Sequence, residues 1–313
     1  MTFPSLSSQT TPGSFDFVTS PVSNDSAEAH PTDQHRSCDP LPRNCTSIWD
    51  VPFDRLDMGQ AIDRIGDLIH RGLPSYVITA NLNYVMLHHA GEGVPAITED
   101  ADMILADGQP IVWRSRATKT PLPTRVAGSE MIYRLAERAA LEGWRIYFLG
   151  GVPGVAADCA AKLTELYPAF QIAGVESPPF RELSAEEQAE QDQRIREAGT
   201  DVLLVAFGQP KGERWIHQHY QRLGVPVSIQ LGASFDFVAG TATRAPVIWQ
   251  RAGMEWAYRM FSDPRRLIPR YAANAAFLAR ALCREFCDRL ATRTQTEPTV
   301  DSHDQVPKSS AMR

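Results

Sequence analysis

The sequence predicts an α/β fold: a Rossmann-like, mostly parallel sheet with helices on both faces, plus a helical, basic C-terminal appendage. Three observations predict it. Apolar runs of strand length alternate with segments whose apolar residues recur at helical spacing, as successive βαβ units require. Those runs end in polar or glycine-containing turns, where the carboxyl ends of parallel strands and their ligands meet. The charge also changes sign along the chain. Residues 244–293 hold ten Arg, no Lys and four acids, a local balance of +6 within a chain whose total is −6.

Residues 1–47 are rich in Ser, Thr and Pro and poor in large apolar residues. Such a segment buries too little surface to offset its ordering entropy, so a disordered tail is expected. A domain over residues 48–243 follows. Met58, Ala61, Ile62, Ile65, Leu68 and Ile69 share one helical face. "SYVITAN" (75–81) and "MILADG" (103–108) predict strands ending in polar turns. A helix is expected near Ser129, with Ile132, Leu135, Ala136 and Ala139 inward. "RIYFLGG" (145–151) predicts a strand entering a glycine turn, after which Pro153 can open a helix. "FQIAGVE" (170–176) is strand-like, and Ser184 with Glu187 forms a capping-box signature. "DVLLVAFG" (201–208) and "VSIQLGASFD" (227–236) predict the last strands, with a helix starting near Pro210 or Lys211 between them. An appendage over 244–291 and a second disordered tail over 292–313 complete the chain.

The bulk composition excludes several classes. The mild charge of −6 argues against a nucleic-acid-coating protein. Five cysteines without C-x-x-C pairing predict neither a disulfide framework nor a zinc site. No charged n-region with an apolar stretch opens the chain, and no apolar run reaches membrane-spanning length, so a cytoplasmic protein is expected.

Thr79, Asn81, Asp107, Gln209, Lys211 and Asp236 all follow predicted strands and are expected on one rim. Asp107 in "ILADGQP" is either a general base in a cleft or the cap of a turn or helix, and spacing alone favours the cap. "LGGVPG" (149–154) is either a phosphate-cradling turn or a plain tight turn; it is not a G-x-G-x-x-G fingerprint. "DAD" (100–102) has the D-x-D form of metal-binding transferases, but "AITEDAD" reads as a helix, on which i and i+2 diverge. A solvated acidic face is the simpler reading. His88, His89, His217 and His219 lack the i, i+4 spacing of a metal pair and are expected to be surface or packing residues. In residues 244–282, Trp249, Trp256, Tyr258, Phe261 and Tyr271 interleave with Arg251, Arg259, Arg265, Arg266 and Arg270. This is either an amphipathic helix packed on the body or an interfacial surface whose guanidiniums meet phosphates.

From about Trp49 to Ala281 the chain resembles the WecG/TagA/CpsF glycosyltransferases. The resemblance rests on "TANLNYV", "ADGQPIV", "RVAGSE", "FLGG", "FGQPKGERWI", "GASFDFVAGTATRAP" and "GMEWAYRMFSDPRRLIPRY", in that order. It implies an inverting, metal- and cofactor-independent transfer of a hexose or N-acetylhexosamine, N-acetylmannosamine in the best-known members. The donor would be a UDP-sugar and the acceptor a polyprenyl-diphosphate sugar, in cell-surface or exopolysaccharide biosynthesis. It moves Asp107 from cap to catalytic base. Thr79, Asn81, Arg125, Gln209 and Asp236 would bind substrate. Arg259, Arg265, Arg266 and Arg270 would meet the lipid diphosphate at the inner face of the plasma membrane. No nucleic-acid partner is implied, and self-association is left open.

One departure stands out. The family usually has glutamine where this chain has Gly212, after Pro210 and Lys211. The expectation is that Gln209 takes over that role and that Gly212 leaves a gap for a differently shaped donor such as UDP-glucose. Two rival classes remain: a non-catalytic nucleotide-sugar or lipid-phosphate binding protein, and a nucleotide-binding oxidoreductase. The missing dinucleotide fingerprint weighs against the oxidoreductase.

Overall fold

The computed structural model describes residues 41–243 and 264–294, with 246, 249, 257, 258 and 260 between them. The body opens with an antiparallel hairpin of β1 (Cys45–Ile48) and β2 (Val51–Asp54). Its two turn residues, Trp49 (φ 48°) and Asp50 (φ 62°), both lie in the left-handed region, as a two-residue turn between right-twisted strands demands. Residues 41–47 therefore belong to the body, which corrects the expected tail boundary. Arg43 donates to Asp54 Oδ2 (2.7 Å) and to the Ala101 carbonyl (2.6 Å), and Asp54 Oδ2 also accepts from Ile104 N (2.7 Å). One carboxylate thus ties the hairpin to the edge of the main sheet. The rest of the expected N-terminal tail, and residues 295–313, lie outside the described residues.

The main sheet is built from β3 (Ser75–Ala80), β4 (Met103–Ala106), β5 (Arg145–Gly150), β6 (Gln171–Glu176), β7 (Val202–Ala206) and β8 (Val227–Gln230). Among the described residues its order is β4-β3-β8-β7-β5-β6, and every pairing is parallel. Alternate side chains enter two cores, because a strand presents successive residues to opposite faces. Val77, Met103, Leu105, Phe148, Leu204 and Ile229 pack under α1 (Met58–Arg71), α5 (Gly128–Glu142), α6 (Val155–Leu166) and α9 (Ser234–Ala239). Tyr76, Ile78, Ile104, Leu149, Leu203 and Val205 pack under α2 (Leu82–Ala90), α3 (Val94–Glu99), α4 (Gln109–Ser115), α7 (Ala185–Glu197) and α8 (Lys211–Leu223). This is the expected fold class.

Local signals set many helix ends. Asp57 and Gln60 form a capping box on α1, and Ser184 and Glu187 form the expected one on α7. Two expectations need correction. "VSIQLGASFD" is not one strand: β8 stops at Gln230, and Ser234–Ala239 is helical. "AITEDAD" is not wholly helical either, since α3 ends at Glu99. Asp102 lies beyond it, paired with Arg71 (2.7 Å) and accepting from Tyr76 N (3.1 Å).

The last described element is α10 (Pro264–Thr294), a long helix containing Pro269. It lies across α2 and the hairpin turn. Phe277 meets Trp49 edge-on, with ring centroids 6.3 Å apart, and also packs on His89. Arg114 of α4 pairs with Glu285 at 2.8 Å. Ile268, Ala272, Ala279, Leu282 and Phe286, spaced to fall on one side of the helix, are all exposed. Among the described residues no helix is long and apolar enough to cross a membrane.

Candidate active site

The chain after β3 turns into α2 on one face of the sheet, and the chain after the neighbouring β8 turns into α9 on the other. Diverging connections from adjacent parallel strands open a crevice at their carboxyl ends. A cavity of about 500 Å³ lies there, within the size range of small-molecule sites. α10 closes one side of it with Leu267, Arg270, Tyr271, Asn274, Ala275 and Leu278.

Thr79, Asn81, Asp107, Arg125 and Gln209 all line this cavity, so five residues spread over 131 positions of sequence share one space. Thr79 is buried, and its hydroxyl donates to the Gln230 carbonyl (3.0 Å), bridging β3 and β8. Asn81 caps α2: its Oδ1 accepts from Asn83 N (3.0 Å) and Tyr84 N (3.2 Å), which leaves its NH₂ group for a ligand. Asp107 directly follows β4, and its own N–H donates to the Ala80 carbonyl (2.9 Å). The N-cap position of α4 is Gly108, one residue after Asp107. Ser129, in the first turn of α5, lines the cavity beside Arg125, and that helix start also has no side-chain cap.

Gln209 links three elements through its side-chain amide. Its Oε1 accepts from Asn83 Nδ2 (2.9 Å) and from an Arg270 NH₂ (3.3 Å), while its Nε2 donates to Glu213 Oε1 (3.1 Å). One amide therefore joins α2, α8 and α10. Glu213 is 3% exposed, and its second oxygen, Oε2, has no hydrogen-bond partner. Burial pushes its carboxyl up to about 7, against the opposing pull of Gln209 and the Arg270 charge.

Other expectations fall elsewhere. Asp236 does not line the cavity; it is on α9, not at a strand end, and accepts from the Thr241 hydroxyl (3.3 Å). Its neighbour Phe237 lines the cavity instead, because adjacent helical residues point about 100° apart. Arg265 is exposed on α10, Arg266 lies in the same helix without a described side chain, and Arg259 lies outside the described residues. "LGGVPG" contributes nothing to the cavity wall. A Cβ on Gly150 would sit 2.9 Å from the Ala206 carbonyl oxygen, so close packing against β7 accounts for that glycine. The gap expected at Gly212 is filled: a Cβ there would collide with the Gln230 side-chain amide.

The histidines are packing groups. His217 meets Asp100 (2.8 Å), His88 bonds Thr98 (3.0 Å), and His219 stacks on Trp215 (4.5 Å). Among the described residues no group of three or more His, Cys, Asp or Glu could hold a metal ion. The sequence reading missed Asn83, Trp113, Ser129, Glu213, Gln230 and Asn274 as cavity residues. Asn83 and Glu213 stand inside "TANLNYV" and "FGQPKGERWI", so their motifs flagged them; Asn274 lies in an alanine-rich helix with no such signal.

Comparison with known proteins follows the same residues. Residues 46–291 match the family model described as "Glycosyl transferase WecG/TagA/CpsF family". A protein of Bacillus subtilis (strain 168), named N-acetylglucosaminyldiphosphoundecaprenol N-acetyl-beta-D-mannosaminyltransferase, is 32% identical over 232 residues, 72% of this chain and 89% of that protein. A protein of the same name from Bacillus spizizenii is 29% identical over 202 residues, 63% of this chain and 77% of its own length.

Proposed function

The chain belongs to the WecG/TagA/CpsF glycosyltransferase family, and from that premise we propose that it transfers a hexose or N-acetylhexosamine from a UDP-sugar to a polyprenyl-diphosphate-linked sugar, with inversion and without a metal. The names of the two relatives support an N-acetylmannosaminyl donor and an N-acetylglucosaminyl-diphosphate lipid acceptor. The observation that carries the reading is the gathering of Asp107, Arg125, Thr79, Asn81 and Gln209 around one cavity at the switch point of the sheet.

The chemistry runs as a single displacement. An acceptor hydroxyl attacks the anomeric carbon from the face opposite the diphosphate, and Asp107 takes the hydroxyl proton. The new C–O bond forms as the bond to the β-phosphate oxygen breaks, and the bonding pair leaves with the nucleoside diphosphate. A positioned base contributes ~10²–10⁴-fold to such a step. The departing diphosphate gains negative charge, which Arg125 and the uncapped first turn of α5 beside Ser129 are suited to stabilise. Arg270 brings a second guanidinium into the wall from α10. The exposed apolar stripe of α10, with Arg265, Arg280 and Arg284 exposed on the same helix, supports a peripheral seat on an anionic membrane surface at which the lipid acceptor is met.

The decisive experiment is a donor screen. The full chain is incubated with a short-chain lipid-diphosphate N-acetylglucosamine acceptor and a panel of UDP-sugars, and UDP release and the glycosylated lipid are both followed. Transfer from one or more donors is expected. Tight donor binding without product from any donor would point to the non-catalytic binding protein.

A further inference from the structure

Gly212 is the third position of "PKGER", in the first turn of α8, and it is buried. Its missing side chain is a packing requirement. A Cβ at this position would overlap the Cδ and Oε1 of Gln230 and come within 2.7 Å of its Nε2. The tip of a flexible side chain can normally move aside, but Gln230 is 4% exposed and lies at the carboxyl end of β8 between two backbone groups. In the amide orientation that satisfies both neighbours, its NH₂ donates to the Val205 carbonyl (2.6 Å) and its oxygen accepts from Gly208 N (3.1 Å). Moving it would take this acceptor from Gly208 N and one of two donors from the Val205 carbonyl, which also accepts from Leu231 N (3.0 Å).

Those two groups flank the place where β7 turns toward α8. Val205 is in the strand, Gly208 (φ 76°) is in the turn, and Gln209 follows at once. Gln209 is the amide that joins Asn83, Glu213 and Arg270 in the cavity wall.

We propose that Gln230 is the positioning residue for Gln209, acting through Gly208, and that Gly212 is glycine to admit it, so the two residues form one coupled unit that sets this wall of the donor site. The part concerning the donor site rests on the transferase reading; the coupling between the two positions does not.

Full-length Gly212→Gln, Gln230→Ala, their double variant, Gln209→Ala and Gln209→Ala/Gln230→Ala separate these parts. Thermal midpoints by circular dichroism test the shared space without any substrate. Gly212→Gln should lower the midpoint sharply, and Gln230→Ala added to it should raise the midpoint again. A double variant no more stable than Gly212→Gln overturns the coupling, whatever the enzyme transfers. Positioning is read well below every midpoint, on variants shown to be folded. There Gln230→Ala should raise donor KM by roughly 5–100-fold, the range for a lost buried hydrogen bond, with a smaller change in kcat. Adding it to Gln209→Ala should change donor KM little further. A folded Gln230→Ala with wild-type KM, or effects of the two alanines that multiply, overturns the positioning role. If no donor is turned over, donor binding by calorimetry replaces KM, and the midpoint test stands unchanged.

Discussion

Asp107 and Glu213 are both carboxylates in one cavity wall, yet their surroundings suit them to different work. Asp107 follows β4 directly, at the start of the turn into α4, with Arg125 lining the same cavity. Asp107→Asn keeps the shape and removes the proton acceptor, so transfer should fall at least ~10²-fold while donor binding by calorimetry changes little. A variant that keeps more than about a tenth of the wild-type rate would locate the base elsewhere. Glu213 is buried with an orphaned oxygen, and its folded value of about 7 lies above the ordinary 4.5. Below 4.5 it is protonated in folded and unfolded chains alike. Between about 4.5 and 7 the unfolded chain ionises first, so this group makes stability fall as pH rises through that window and level off above it. Glu213→Gln should remove that slope, a difference of up to roughly 3 kcal/mol across the window. Chemical denaturation of both proteins at several pH values measures it, and parallel curves would show that Glu213 ionises normally. "PKGER" marks this place in the sequence, but neither the burial of Glu213 nor the Gln230 amide lodged against Gly212 is visible there, and the second depends on β8 lying beside β7.

At the scale of elements, α10 has two sides with different tasks. Its inner side carries Leu267, Arg270, Asn274 and Phe277 against the cavity, α2 and the hairpin, while Ile268 (50%), Leu282 (46%) and Phe286 (64%) face outward. An apolar stripe left in water beside exposed arginines is what an interfacial helix needs. Leu282→Glu/Phe286→Glu should therefore lower partitioning onto anionic liposomes roughly tenfold or more, with little change in thermal midpoint, since neither side chain is buried in the body. Co-sedimentation at low and high salt checks it. Binding that is unchanged in the variant moves the membrane contact to another surface, and binding that ignores salt removes the electrostatic part. The periodicity that signals an amphipathic helix was legible here, but which stripe would be covered was not.

Taken as a whole, the molecule is a parallel sheet whose connections diverge between β3 and β8, with α10 laid over the opening. Asp100 and Asp102, the carboxylates of the D-x-D stretch, are engaged outside the cavity with His217 and with Arg71 and Tyr76. Transfer is accordingly expected to survive EDTA at near the untreated rate, with the guanidiniums of Arg125 and Arg270 providing the positive charge. Loss on chelation that Mg²⁺ or Mn²⁺ restores would return a metal to the mechanism.

The sequence by itself determined the fold class, the main strands and the capped helices, because hydrophobic period and capping chemistry act over a few residues. It also singled out Thr79, Asn81, Asp107 and Gln209, since residues at strand ends meet on one rim whatever the strand order, while Arg125 was marked only by the family resemblance. Tertiary structure decided the rest. The hairpin at 45–54 falls partly within the expected tail because its strands are only four residues each and its anchor, Asp54, bonds Ile104 fifty positions away. Asp236 was misplaced because β8 gives way to a helix whose turn brings Phe237 to the cavity. Gly212 looked like an opening because its occupant, Gln230, comes from the neighbouring strand. For the hairpin and for Gly212 the deciding contact joins separate elements, Asp54 with Ile104 of β4 and Gly212 with Gln230 of β8, which only the folded sheet brings within reach.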